Sequence, residues 1–131
     1  MNMSLRMDGM TLRGLRGATT CEANSIRAIE TAVKELIEQL IDRNDLSIAQ
    51  IISITFSVTA DLNACFPAAI ARQQEGLDEV ALLDCQQMSV QGDLKRCIRI
   101  LAYAWLPSEK TPQHPYLGEA TILRPDRSAI N

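Results

Sequence analysis

Cys97–Trp105 reads CIRILAYAW, and its alternation decides the fold. Ile98, Ile100 and Ala102 fall on one face of an extended chain and Arg99, Leu101 and Tyr103 on the other, the period of a strand. Arg99 therefore lies among Ile98, Ile100 and Leu101. A guanidinium stays charged in proteins and is costly to bury without an anionic partner. An acidic ligand is one such partner. Upstream, Ile51–Val58 (IISITFSV) is β-branched and alternating, a second strand that runs into the polar turn Thr59–Asn63. Thr11–Thr20 (TLRGLRGATT) reads as a short strand whose glycines allow close backbone approach. Val80–Leu83 makes a further strand before a turn centred on Gly92-Asp93, and a last strand is expected at Glu119–Leu123, beyond the loop Pro107–Pro115 and ahead of the polar Arg124–Arg127.

Helices interleave with these strands. Over Ser25–Arg43 the apolar residues Ile26, Ile29, Val33, Leu36, Ile37, Leu40 and Ile41 recur at three and four, with Asn24 as the expected N-cap. Arg27, Glu30, Lys34, Glu38 and Asp42 form the solvated opposite face. Pro67 opens a second helix of about nine residues that contains Arg72 and closes at Gly76. The class is therefore α/β (α+β): a single domain with one mixed sheet, a long helix and a short one. Residues 10–128 form this domain, the polar start MNMSLRMDGM supplies a disordered extension over residues 1–9, and residues 129–131 are a tail. With two Phe, two Tyr and one Trp the core is aliphatic. A small sheet with one main covering helix leaves an apolar face for an oligomer to bury.

Composition removes many functions. A net charge of −3 and a pI near 5.1 argue against a nucleic-acid partner. No apolar run spans a bilayer and the first ten residues lack a secretory core, so a cytoplasmic protein without a membrane partner is expected. The four cysteines lie far apart without a C-x-x-C pair, and most of them read as buried thiols. His114 is the only histidine and sits in a Pro-flanked loop, a poor basis for a triad. No metal-ligand spacing occurs, and the residues around Gly14 and Gly17 break both the Walker and the dinucleotide patterns, so neither metal nor cofactor is expected. What remains are Arg13, Arg16, Arg72, Arg99 and Arg124. Alone, each reads as a surface or ion-pair residue, Arg99 excepted.

Three stretches, RGLRGATT at Arg13–Thr20, ACFPAAIAR at Ala64–Arg72, and LKRCIRI at Leu94–Ile100 through YLGEATILRPD at Tyr116–Asp126, together resemble the small monofunctional trimeric chorismate mutases, the class distinct from the all-helical one. The resemblance runs from about Met10 to Ser128. It implies a homotrimeric pseudo α/β barrel with active sites between subunits, and conversion of chorismate to prephenate in phenylalanine and tyrosine biosynthesis. That Claisen rearrangement needs neither proton transfer nor a covalent intermediate; it needs a dianion held in its compact conformer and a cation beside the ether oxygen. Carried over by position, Arg99 would stand beside the ether oxygen, Arg16 would reach a carboxylate across the interface, Tyr116 would donate a hydrogen bond and Arg72 would sit at the mouth. Phe66, Ala68 and Leu123 would be apolar walls, and Leu83, Cys85 and Gln86 would line the same pocket; Arg13 and Arg124 would frame it or contact substrate.

Three departures from the family pattern stand out. Gln87 occupies a position usually held by a glutamate that balances the arginine, and an amide can accept the bond but not the charge. Asp84, three residues earlier, is expected to take over that role at the hydroxyl or at Arg99, which requires a bend in the strand. Ala69 stands where some relatives have a lysine, which should slow capture of the dianion. Two other classes of function fit the same arginines: a non-catalytic trimer that binds a small carboxylate, and an enamine/imine deaminase of similar architecture.

Overall fold

The alternation at Cys97–Trp105 puts that segment at the centre of a mixed five-stranded sheet. The computed structural model describes residues 6–7 and 9–124. Along the chain come β1 (Arg6–Met7), β2 (Met10–Thr20), α1 (Ile26–Asn44), β3 (Ile51–Val58), α2 (Pro67–Ala71), β4 (Ala81–Gln86) and β5 (Cys97–Pro107), with a 3-10 helix at Gly118–Leu123. The sheet order is β1-β2-β5-β3-β4; β5 is antiparallel to β2 and β3, and β3 is parallel to β4. No helix among the described residues is long and apolar enough to cross a membrane.

Both helices pack on one face of the sheet. Ile29, Val33, Leu36, Ile37 and Leu40 of α1 join Leu15, Ile54, Phe56, Ile98 and Ile100 in the main core, an aliphatic layer with a single buried phenylalanine. The other face carries Arg99, Leu101 and Tyr103 of β5 beside Thr55 and Ser57 of β3, and Leu83 and Tyr103 are exposed on it. A smaller cluster of Ala18, Cys97, Tyr116 and Ala120 closes one end of that face.

Local chemistry moves several boundaries from their expected places. Ser25, not Asn24, caps α1: its hydroxyl accepts from Ala28 N at 3.1 Å. Asn24 is occupied elsewhere, its carbonyl accepting from Asn63 N and Ala64 N at 3.0 Å each. Helix α2 is five residues long instead of about nine, and Arg72 is its C-cap, because the bonds Gln73 N to Ile70 O and Gln74 N to Ala71 O tighten the chain into turns. Strand β2 is eleven residues long, and β4 runs on to Gln86. The strand expected at Glu119–Leu123 is the 3-10 helix instead: Gly118, at φ 56°, turns the chain under Thr20, whose hydroxyl accepts from Glu119 N at 3.2 Å. Arg6 and Met7 pair with Thr11 and Met10, so at these two residues the extension expected to be disordered is a strand. Residues 1–5, 8 and 125–131, including the rest of that extension, most of the polar Arg124–Arg127 segment and the expected tail, lie outside the described residues.

Two contacts deliver the loop before Tyr116 to the sheet. Asn44, 1% exposed at the end of α1, donates to Leu40 O and Gln113 O and accepts from Gln113 N at 2.8 Å. Pro115 O then accepts from Ala18 N at 3.0 Å, so the loop lies against the edge of β2. A Cβ on Gly17 would meet Pro115 O at 2.5 Å, a contact no side chain tolerates. Gly17→Ala must displace this segment or strain β2. The expected loss is about 1–3 kcal/mol, read as a lower urea midpoint with an unchanged slope; an unchanged midpoint would show that the loop is not pinned there.

Candidate active site

Register sets the site. Arg99 pairs with Ala18 on one side and Ser57 on the other, and Leu101 pairs with Arg16 and Thr55. Because side chains alternate along each strand, Arg16, Thr55, Ser57, Arg99 and Leu101 share the helix-free face. With Tyr116 they line a cleft of about 270 Å³.

Arg99 is the charged centre of this cleft. Its side chain is 34% exposed, and its Nη2 lies 3.3 Å from Asp93 Oδ1 and 3.4 Å from Oδ2. Its Nε is buried and has no acceptor among the described residues, and the same holds for Arg13 Nε. Burial pushes the neighbouring Cys97 thiol up, against the lowering influence of the Arg99 guanidinium. Arg16 has an exposed side chain, while its backbone N donates to His114 Nδ1 at 2.9 Å. Tyr116 is buried beside Ala18 in a cluster against which Leu123 packs, with the Arg124 guanidinium 6.0 Å from its ring centroid.

A second group gathers at the start of α2. Asp84 Oδ1 accepts from Ala68 N at 3.0 Å. Burial raises the Asp84 carboxyl, opposed by that bond and by the charge of Arg72. Phe66 is 71% exposed, an unusual position for so large an apolar ring. Arg72, the C-cap of α2, is exposed and acts by its charge on Asp84, and Ala68 is buried.

The structure does not bring Asp84 to Arg99 within one chain, contrary to expectation. The register of β3 with β4 runs unbroken from Ser53↔Ala81 to Val58↔Gln86, so no bend intervenes. Asp84 follows Phe56 onto the core side, whereas Arg99 shares the opposite side with Ser57 and Cys85. Gln87 lies on the side of Arg99, and its Oε1 accepts from Ser57 Oγ at 2.7 Å. Leu83 and Cys85 project from the same side of β4, and Gln86 is exposed at its end. Among the described residues, no hydrogen bond or ion pair joins Arg16, Arg99 and Tyr116 to Phe66, Ala68, Arg72 and Asp84.

Thr55, Ser57 and Leu101, which line the cleft, and Asp93, which pairs with Arg99, were absent from the expected set. Thr55 and Ser57 could have been found by extending the alternation of IISITFSV to its polar face. Asp93 is visible in the sequence only as half of a turn with Gly92, and the turn alone says nothing of where its carboxylate goes.

Comparison with known proteins bears directly on these features. The family model described as chorismate mutase type I matches residues 12–127. The chain is 42% identical over 120 residues to chorismate mutase AroH of Thermus thermophilus, covering 88% of this chain and 95% of that protein. It is 36% identical over 121 residues to chorismate mutase AroH of Bacillus subtilis (strain 168), covering 91% of this chain and 94% of that protein. A solved chorismate mutase from Clostridium thermocellum has the same fold, with a TM-score of 0.77 at 34% identity, covering 84% of this chain and 98% of that one. The match takes in β2, both helices and the arginine-bearing strand β5, and the chain belongs to the chorismate mutase type I family.

Proposed function

We propose that this chain carries out the chorismate mutase reaction with Arg99 as its principal catalytic residue, in a cleft that two copies of the chain complete. The activity itself, chorismate to prephenate in aromatic amino-acid biosynthesis, follows from family membership. The observation that carries the mechanistic reading is the buried Nε of Arg99, a charged donor with no acceptor among the described residues, on a residue that lines a cleft with Arg16 and Tyr116.

The rearrangement breaks an ether C–O bond while a C–C bond forms, and negative charge grows on the ether oxygen in the transition state. A fixed guanidinium donor at that oxygen stabilises the transition state more than the ground state. Arg16 holds a substrate carboxylate, Tyr116 donates a hydrogen bond from its hydroxyl, and together they restrict the dianion to the folded conformer. Leu123 packs against the cluster that holds the tyrosine. The group at α2 supplies the opposite wall: Phe66 and Ala68 as apolar surface, Arg72 as an electrostatic aid, and Asp84 as a carboxylate for the ring hydroxyl. Gln87, bonded to Ser57, contributes a neutral amide next to Leu83, Cys85 and Gln86.

A homotrimer explains both why these two groups stand apart in one chain and why Leu83, Tyr103 and Phe66 are exposed. The enzyme acts in the cytoplasm without a cofactor or metal, since the rearrangement requires neither.

Two outcomes are expected. Arg99→Ala lowers kcat by about 10²–10³, followed as loss of chorismate absorbance; Arg99→Lys fails to restore it, because an ammonium does not reproduce the planar fork. Undiminished turnover in Arg99→Ala would remove this residue from the chemistry, and a parent protein that binds chorismate without turnover would be a carboxylate binder. In light scattering the particle mass is expected at three times the 14.5 kDa of the chain; a monomer would leave the two groups unable to form one site.

A further inference from the structure

Asp93 is the charged neighbour of Arg99 in this structure. It precedes Arg99 by six residues, in the loop between β4 and β5, and both its oxygens lie within 3.4 Å of the same Nη2. The other two candidates for balancing Arg99 are engaged elsewhere in the chain. Gln87 carries no charge and accepts from Ser57, and Asp84 is on the opposite side of the sheet at Ala68 N.

The Asp93 carboxylate is itself held in place. Asp93 N donates to Val90 O at 3.1 Å, and Asp93 Oδ1 accepts from Leu94 N at 2.8 Å. Leu94 packs against the cluster of Ala18, Cys97, Tyr116 and Ala120. Further along, Asp61 accepts from Arg96 N at 2.9 Å and fixes the left-handed Arg96 (φ 48°), the last residue before β5. The loop therefore presents its carboxylate to Arg99 from a defined position. The ion pair engages Nη2, and Nε remains a buried donor without an acceptor among the described residues.

We infer that Asp93 is a positioning residue of this enzyme: it supplies the negative charge that Gln87 lacks and sets the orientation of the Arg99 guanidinium, so that its remaining donors face the reacting ether oxygen. This rests on the mutase reading above. Without Asp93, the free guanidinium is drawn to the two carboxylates of the substrate, a contact made equally in ground and transition states, which aids binding and not rate. The pair is partly solvated, with side-chain exposures of 34% and 21%, so its part in stability is small.

The test compares Asp93→Asn, Asp93→Glu, Asp84→Asn and Arg99→Ala by steady-state kinetics and thermal melting. Asparagine keeps the acceptor for Leu94 N and removes the charge. Asp93→Asn is expected to lower kcat about ten- to a hundredfold with KM unchanged or lower and the melting curve little altered, and Asp93→Glu to recover much of the loss. If Arg99→Ala is inactive while Asp93→Asn keeps its kcat, this inference is overturned and the mutase reading stands; a large loss in Asp84→Asn alone would then place the balancing charge there. If Arg99→Ala is as active as the parent, Arg99 is not the catalytic residue, and the reading of the site on which this inference rests fails. A collapse of the fold in both Asp93 variants would make the residue structural and overturn the inference as well.

Discussion

A permanent charge in the central strand of a sheet constrains everything around it. Arg99 cannot be neutralised by losing a proton, and its neighbours in β5 are Ile98 and Ile100, both buried. The strand period resolves the conflict by sending the isoleucines to the helices and the guanidinium to the face that no helix covers. There the charge meets Asp93 at one nitrogen and no acceptor at Nε. A half-satisfied cation of this kind is expensive in a purely structural role, and it is what a site for a developing anion needs.

The rest of the fold serves to hold that face in register. Strand β2 brings Arg16 alongside β5, the buried Asn44 and the glycine at position 17 let the Gln113–Tyr116 segment close against β2, and Tyr116 arrives beside Ala18. Helix α2 and β4 assemble the second group independently, through the bond from Ala68 N to Asp84. In the proposed assembly, neither group is a complete site by itself. A shared cleft, as proposed, would tie activity to assembly, because the exposed apolar surface that an oligomer buries would also close the pocket.

Much of this was legible in the sequence, for identifiable reasons. Alternation located β3 to the residue and gave the two faces of β5 correctly, since period two is set by backbone geometry. The amphipathic pattern found α1 within a residue, but the cap went to Asn24, because two adjacent cap formers cannot be ranked without knowing that Asn24 holds Asn63 and Ala64. Glu119–Leu123 looked like a strand because TIL is β-branched and apolar; the positive φ of Gly118 and the hydroxyl of Thr20 decide otherwise, and both are tertiary facts. At the site, residue types and motifs identified the arginines, yet the direction of Asp84 depended on whether β4 bends, and it does not. Asp93 was read only as turn chemistry. Its carboxylate acquires a role because the loop brings it back over β5.

The central claim is that one active site is made from Arg99 of one chain and the Phe66 wall of another. Subunit complementation tests it most directly: Arg99→Ala and Phe66→Asp chains, each inactive alone, are unfolded, mixed and refolded together, and chorismate turnover is followed. Phe66 is exposed in the chain, so its replacement spares the fold of the protomer. Mixed trimers are predicted to regain activity, because some clefts then pair an intact Arg99 with an intact Phe66. A mixture as inactive as its components, with trimers formed, would contradict a shared site.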